Sequence, residues 1–532
     1  MTTAYPIETI SRQSLREQLP LFAFTTSPLP SAEMATLVRT GLNKRERVAA
    51  LLEGELNFHG RDSGYASHNF HAFAAKFPPQ LPRAFIRGLT EPGDVVLDPM
   101  MGSGTTVVEA LLEGRRGIGL DIDPLALRLC QVKTTPAQVG HLQVAGYRVI
   151  RRAAALLSDS QAVEQGLAER FDEVTREFVN YWFLPDTQRE LMALTLAIEE
   201  ETDGSARRFL ELTLSSIIIT KSGGVSRARD LAHSRPHLDK EKVPRDALAQ
   251  FSLRLRKNLE GVMELRSNGA GAIALAGNAR SMPLASESVD LIVTSPPYAN
   301  AIDYMRAHKF SLVWLGRSVK DLAELRAGYI GSERVGHTEY AVLPDRPEAI
   351  IAQLMARDPR KAAVLRKYYA EMRDVLSEMH RVLRNDSPAI VVVGTSVMGG
   401  IDVQTHLCLA DIAANLGFDV VGVARRTLDR NKLMMPARFG GKAGSLIEQR
   451  IHDEYVIGLM KSPQVQGVAH ERLYHRCHYR CRSHRACTRR DVDASHPCCQ
   501  PSRRRRRARA GGPATGGTVP YPHGGPGASC SS

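Results

Sequence analysis

The stretch from Val95 to Asp121 constrains this chain most. Val95-Val96-Leu97-Asp98 is a short β-branched run ending in an acid. Thr105 to Leu112 has helical spacing, and Gly117-Ile118-Gly119-Leu120-Asp121 reads as a second strand. A strand, a helix and another strand in this order predict parallel pairing with a right-handed crossover, hence an α/β fold.

The turn between the first strand and the helix is Asp98-Pro99-Met100-Met101-Gly102-Ser103-Gly104-Thr105-Thr106. Its glycines let the backbone approach a ligand closely and expose the amides at the helix start. Asp98, at a strand end, can take an ammonium group. A bland glycine-rich turn is the competing reading. A phosphate loop is excluded, because no Gly-Lys-Ser/Thr follows. Asp121 ends the next strand in Gly119-Leu120-Asp121-Ile122-Asp123-Pro124, where an acid accepts hydrogen bonds from ribose hydroxyls or simply caps the strand.

A second signal lies far downstream. The apolar run Leu291-Ile292-Val293 leads into Thr294-Ser295-Pro296-Pro297-Tyr298. The two prolines remove backbone donors and stiffen the turn, so its carbonyls are available as acceptors. Ser295 adds a hydroxyl acceptor and Tyr298 a flat face. Such a site suits a planar group carrying an NH2, as in a nucleobase with an exocyclic amine.

Between these signals, residues 134–270 are helical and charge-rich, broken by the polar segment Lys221 to Asp230. Residues 1–60 carry helix-like pieces, from Ser31 to Leu52. Strands resume at Ala272-Ile273-Ala274-Leu275, Val289 to Val293, Ala389 to Val393, Asp419 to Val423 and Glu454 to Met460. A helical insertion, Glu348 to Leu383, separates two of them. The expected divisions are an N-terminal helical segment to 60, two core halves at 61–133 and 271–460, and the helical block between them. A disordered tail is expected over 461–532.

Net charge is +13, but Ser462 to Ser532 alone holds thirteen Arg, no Lys and three acids, leaving about +3 for the body. Global charge is therefore weak testimony for nucleic-acid binding. The body has only Cys130 and Cys408, so chemistry needing a cysteine pair is not expected there. Apolar runs are too short to span a bilayer and no export signal is evident, so a cytoplasmic protein is the expectation. In the tail, Cys477, Cys481, His484 and Cys487 have irregular zinc spacing, and no metal site is expected. Pro497-Cys498 has no preceding strand to make it a nucleophile. Arg503 to Arg507 is either a nonspecific phosphate-binding run or a solvated tail.

The glycine turn, the acidic strand end and Ser-Pro-Pro-Tyr together resemble the amino-group DNA methyltransferases, which use S-adenosylmethionine. The segment His71-Ala72-Phe73-Ala74-Ala75-Lys76-Phe77-Pro78-Pro79 is similar to the one completing the cofactor pocket in that family. The resemblance covers about 64–130 and 271–460. It implies a Rossmann-like class I methyltransferase sheet of about seven strands, one of them antiparallel near the end. It also implies that Asp98, Gly102, Gly104 and Thr105 hold the methionine end of the cofactor, Asp121 its ribose, and Phe77 part of the wall. Gly277-Asn278-Ala279-Arg280 stands where the family has Gly-Asp-Ala, so Asn278 would face the adenine, a plain turn being the alternative.

Serine before Pro-Pro-Tyr usually accompanies cytosine-N4 transfer in that family, and Asp or Asn adenine-N6 transfer. Ser295 and the Pro296 carbonyl would accept the amine hydrogens, Pro297 would stiffen the turn, and Tyr298 would stack on a base flipped out of DNA. Adenine-N6 transfer, guanine-N2 transfer on transfer RNA and an inactive nucleic-acid-binding module stay open beside it. A companion restriction endonuclease is a further partner the resemblance admits. Lys221 to Asp230 and Glu324 to Arg360 are candidates for DNA contact. Asp303 and Arg306 either touch the target or form a salt bridge that fixes the active-site loop.

Overall fold

The computed structural model describes residues 41–73, 76–220, 224–229, 236–265, 270–299, 303–332, 340–394, 396–428 and 453–462 of the chain. Strands β1 (Val95–Asp98), β2 (Arg116–Asp121), β3 (Ala272–Ala276), β4 (Leu291–Thr294), β5 (Ser387–Gly394), β6 (Phe418–Thr427) and β7 (Asp453–Lys461) form one seven-stranded sheet. Their spatial order is β6-β7-β5-β4-β1-β2-β3. Strand β7 runs antiparallel to both β6 and β5, and the remaining pairs are parallel. This is the α/β sheet of about seven strands expected, down to its single antiparallel strand.

The uninterrupted apolar runs of β1, β4 and β5 follow from burial on both faces. Alternation within them sorts side chains between two cores. Val96, Leu291, Val293, Ile390 and Val392 face α1 (Lys44–Glu53) and α2 (Gln80–Leu89), packing on Val48, Leu51, Phe85 and Ile86. Helices α3 (Thr105–Leu112) and α4 (Pro124–Thr134) follow β1 and β2 as the crossovers.

Six helices occupy the stretch after α4. They are α5 (Val139–Ser158), α6 (Gln161–Arg170), α7 (Glu173–Trp182), α8 (Pro185–Glu199), α9 (Gly204–Ile218) and α10 (Ala247–Glu264). Within the polar interruption, Ala228–Arg229 pairs antiparallel with His237–Leu238, and the Lys242 ammonium donates to the Ser226 and Ala228 carbonyls. The helical block shares its core with Phe70 and Phe73 of the upstream loop. It also shares it with α11 (Tyr304–Leu312) and α12 (Val319–Ala327), which follow the Ser-Pro-Pro-Tyr turn.

The other sheet face carries Leu97, Ile292, Val391, Val393 and Ile457 against α13 (Asp345–Met355), α14 (Pro359–Val382) and α15 (Thr405–Asn415). The helical insertion expected from Glu348 to Leu383 is thus two helices. Pro359 lacks an amide hydrogen and suits a first helical turn, so a new helix starts there.

Among the described residues no helix is long and apolar enough to cross a membrane. Residues 1–40 and 463–532 lie outside them. So do the expectations for Ser31 to Thr40, the tail cysteines, His484 and the arginine run.

Phe310 on α11 is fully buried among Phe178, Trp182 and Phe183 of the helical block, with ring centroids 5.1, 4.9 and 6.3 Å away. Phe310→Ala should cost about 3–5 kcal/mol in chemical denaturation. Block and sheet should still unfold in one transition; two separated transitions would show that they fold independently.

Candidate active site

The glycine turn sits at the carboxyl end of β1, and its backbone is held from several sides. Gly102 and Gly104 have φ of 48° and 76°, left-handed values that other residues adopt at a cost. The Met101 amide donates to the Leu120 carbonyl on β2 (3.0 Å), and the Gly104 amide to the Met101 carbonyl (2.7 Å). From below, the buried Lys133 ammonium donates to the Ser103 carbonyl at 2.7 Å. Burial pushes the Lys133 pKa well below its usual value. Thr105, at the start of α3, has its hydroxyl 3.1 Å from that of Ser103.

Two carboxylates flank the turn, Asp98 buried and Asp121 half-buried. Asp98 accepts from the Thr294 hydroxyl (2.7 Å) and the Met100 amide (3.2 Å). Asp121 accepts from the Gly102 amide (2.9 Å) with one oxygen and from the Asp123 amide (2.9 Å) with the other. Burial lifts the Asp98 pKa to about 6 against these hydrogen bonds. Burial, together with the neighbouring charge of Asp123, lifts Asp121 to about 7. The pocket therefore holds more acid than it has counter-charge for, as a site for a cation would.

Asn278 lies just past β3, beside Asp121, whose carbonyl accepts from the Gly277 amide at 3.1 Å. The Asn278 side-chain oxygen caps its own turn, accepting from the Arg280 amide at 3.0 Å. Phe77, expected to wall the pocket, packs instead in the cluster of Val48, Leu81 and Phe85 on the sheet face. The ring that meets the glycine turn is Phe73: a Cβ added at Gly102 would lie 3.2 Å from its Cε1. Phe73 stacks on Tyr304 with centroids 5.3 Å apart, and its centroid lies 5.1 Å from that of the His308 ring.

That aromatic wall is braced by buried polar links. His308 Nδ1 lies 2.6 Å from Asp123, which also accepts from the Tyr329 hydroxyl at 2.9 Å. Burial pushes the Asp123 carboxyl up, but the charge and hydrogen bond of His308 outweigh it and hold the group below the usual range. His71 Nε2 is 2.8 Å from the Ser215 hydroxyl of α9, which donates to the Ser311 hydroxyl of α11 at 3.0 Å. The helical block thereby reaches the pocket rim.

The second half of the site begins where β4 ends, next to β1. Ser295 is half-buried and Pro296 buried. The Pro297 carbonyl accepts from the Tyr368 hydroxyl of α14 at 2.9 Å. Among the described residues no donor reaches the Pro296 carbonyl. The Tyr298 phenol donates to Glu454 Oε1 at 2.7 Å, and Glu454 Oε2 accepts from Arg426 Nη1 at 2.9 Å. Asp303 pairs with Arg306 (2.8 Å) and Arg326 (2.5 Å), so the salt-bridge reading is the one the structure has. Asn300 to Ile302 lie outside the described residues.

Sequence reasoning missed Phe73, Tyr304, Glu454 and Arg426. Phe73 stands inside the quoted His71–Pro79 segment, so the segment was legible though its pocket-facing ring was not. Glu454 opens a strand read only as a late one, and Arg426 lies past the expected end of another at Val423.

Residues 55–132 match the family model described as DNA methylase. The chain is 23% identical over 390 residues to the Type II methyltransferase M.MvaI of Kocuria varians, covering 67% of this chain and 83% of that protein. It is 31% identical over 150 residues to the Type II methyltransferase M.AvaI of Nostoc sp., covering 25% of this chain and 31% of that one. Against the Type II methyltransferase M.BsoBI of Geobacillus stearothermophilus, identity is 24% over 281 residues, covering 49% and 54%. The chain thus spans most of the first of these relatives and about half or less of the other two.

A Cβ at Gly104 would lie 2.9 Å from Cys130 Sγ and 3.3 Å from its Cα, on a residue already left-handed. Gly104→Ala should therefore lose about 1–3 kcal/mol of stability, read from denaturation midpoints. A loss below the error of that measurement would mean that the turn is not held as described.

Proposed function

The chain belongs to the S-adenosylmethionine-dependent amino-group DNA methyltransferases, and from that premise we propose that it methylates the exocyclic N4 of cytosine in DNA. The observation that carries this reading is the pair of oxygens at the Ser-Pro-Pro-Tyr turn: the half-buried Ser295 hydroxyl and the Pro296 carbonyl, which no donor reaches among the described residues. A hydroxyl has lone pairs to accept with and a carbonyl only accepts, and two acceptors in one turn suit an NH2 group. Serine in this position, by the family resemblance, favours cytosine over adenine.

The pocket's own atoms fit the cofactor. The left-handed Gly102 and Gly104 curl the chain into α3, and two under-compensated carboxylates match a ligand carrying ammonium and sulfonium charges. Asp98 would hold the ammonium group, the first-turn amides of α3 and Thr105 the carboxylate end, Asp121 the ribose hydroxyls and Asn278 the adenine edge. Phe73 would lie against the cofactor from the Gly102 side. When bound, S-adenosylmethionine supplies a methyl on a positive sulfur, so the N–CH3 bond forms as the S–CH3 bond breaks. The amine is a poor nucleophile because its lone pair is delocalised into the ring. Ser295 and Pro296, by accepting hydrogen bonds from its two hydrogens, would draw them out of the ring plane and localise that lone pair on nitrogen, and the remaining task is positioning.

The test offers duplex DNA and transfer RNA with labelled S-adenosylmethionine and identifies the methylated nucleoside by mass spectrometry. N4-methylcytosine in DNA is expected; N6-methyladenine alone, or label confined to RNA, would overturn the proposal. Ser295→Ala should lower transfer about 10²-fold or more while leaving cofactor binding nearly unchanged. Equal loss of both would remove its assigned role.

Cofactor affinity should depend on pH with a definite sign. In the cofactor-free protein Asp98 and Asp121 hold protons up to about pH 6 and 7. A cationic ligand must displace them, so the dissociation constant should fall as pH rises from about 5 to 7, with protons released on binding. Calorimetry in buffers of different ionisation enthalpy measures both quantities. A flat profile with no proton release would show that these carboxyls do not face the ligand.

A further inference from the structure

We propose, resting on the DNA-methylating function argued above, that a wall on one side of the crevice holds the phosphate backbone of the target strand. The wall is built from the hairpin after β5 and the corner between α13 and α14, with Arg357 and Arg360 as its phosphate ligands. The hairpin pairs Val397–Met398 with Ile401–Asp402 across Gly399 and Gly400, whose φ of 58° and 77° suit a two-residue turn. Its tip is seated on the corner. A Cβ added at Gly399 would lie 3.0 Å from Leu354 Cδ1, and one at Gly400 would lie 3.6 Å from Arg357 Nη1.

The fold sets the height of this wall above the acceptor turn. Helix α14 runs antiparallel to β4. At its end the Val382 carbonyl accepts from the Val289 amide at 3.1 Å, and earlier in the helix the Tyr368 hydroxyl donates to the Pro297 carbonyl at 2.9 Å. From Tyr368 back to Arg360 the helix rises a further 12 Å or so, at about 1.5 Å per residue. On the strand side Thr294 pairs with Val391, so Ser295 stands level with Val392. Ser396, at the hairpin root, lies about 13 Å beyond Val392 by strand rise. A nucleotide spans on the order of 10 Å from its phosphate to its exocyclic amine. A base flipped onto Ser295 and Pro296 therefore leaves its backbone at the height of the wall.

At that height the positive charge is unspent. Arg357 and Arg360 are exposed, and neither guanidinium meets an acceptor among the described residues. The acid between them is accounted for. Asp358 caps α14 by accepting from the Lys361 amide, and the Lys361 ammonium lies 3.1 Å from its carboxylate. Asp402, on the hairpin, accepts from the Gln404 amide at 2.9 Å. Other arginines are taken: Arg306 and Arg326 by Asp303, Arg346 by Asp411, and Arg366 by Glu348. In Lys221 to Asp230, the other segment expected to touch DNA, Arg229 is taken by Asp239. The amino end of α14 adds its own partial positive charge to the corner. Two guanidiniums without an internal partner suit two phosphates of one strand. Contacts of this kind set the position of the duplex and carry no sequence information.

The test measures methyl transfer from labelled S-adenosylmethionine to unmethylated plasmid DNA, at salt concentrations between about 50 and 200 mM. Combining Arg357→Gln with Arg360→Gln should raise the half-saturating DNA concentration about 10-fold or more. The slope of its logarithm against the logarithm of salt should fall by about 1 to 2. The single-turnover rate at saturating DNA and the cofactor dissociation constant should stay within about twofold of wild type, and the methylated positions should not change. Arg357→Lys with Arg360→Lys keeps the charge and should restore most of the slope. Both side chains are exposed and unpartnered, so the denaturation midpoint should not move; a lower midpoint would show that they serve the fold instead. A glutamine variant with wild-type half-saturation and slope overturns the wall and leaves the methyltransferase reading standing. An intact slope with altered methylated positions would mean that the arginines read bases, which overturns it as well. A wild type that labels no base in DNA overturns the methyltransferase reading and the wall with it.

Discussion

The parallel pairing of β1 with β4 is the constraint on which everything else in this molecule depends. Val96 and Leu97 pair with Leu291 and Ile292 across almost two hundred residues of intervening chain. At this junction the strand order reverses, β2 and β3 running to one side and β5, β7 and β6 to the other. A crevice opens at such a point, beyond the carboxyl ends of the strands. The Thr294 hydroxyl closes the junction by donating to Asp98 at 2.7 Å, so the last residue of β4 is bonded to the last residue of β1. The glycine turn and the Ser-Pro-Pro-Tyr turn then leave adjacent strand ends into the same crevice.

Around that junction the polar groups follow two different rules. Beside the glycine turn the carboxylates of Asp98 and Asp121 meet hydroxyls and amides rather than cations, and the nearby buried Lys133 is itself pushed toward its neutral form. Under the proposed function a positively charged cofactor would supply the missing compensation. Beside the Ser-Pro-Pro-Tyr turn, by contrast, Glu454 is paired with Arg426 inside the protein.

The helical block between β2 and β3 belongs to the same architecture rather than hanging from it. Its core takes in Phe70 and Phe73 from the upstream loop and Phe310 from α11, so it clamps the two segments that line the pocket rim. His71, Ser215 and Ser311 carry a buried hydrogen-bonded link across all three segments. Polar groups sealed in such an interior hold one geometry, because a broken link leaves an unsatisfied group with no water to replace its partner.

Much of this was legible in one dimension, and the reason is locality. Helix α3 ends where its spacing says, at Thr105 and Leu112, and β1 and β2 carry their β-branched and glycine patterns on themselves. The residues of both turns are consecutive, so their chemistry could be read without knowing the fold. The helix break at Pro359 was present in the sequence as well, but periodicity on either side of it masks one missing amide. What the chain alone determined is therefore the α/β class, the glycine cradle, the two acids and the proline-stiffened acceptor turn. Only the tertiary structure decided that Phe73 rather than Phe77 reaches Gly102, since two phenylalanines four residues apart in a loop carry no periodicity to say which faces in. It alone set Glu454 and Arg426 behind Tyr298, because cross-strand register depends on how β6, β7 and β5 pair, and no local pattern in any of the three encodes that.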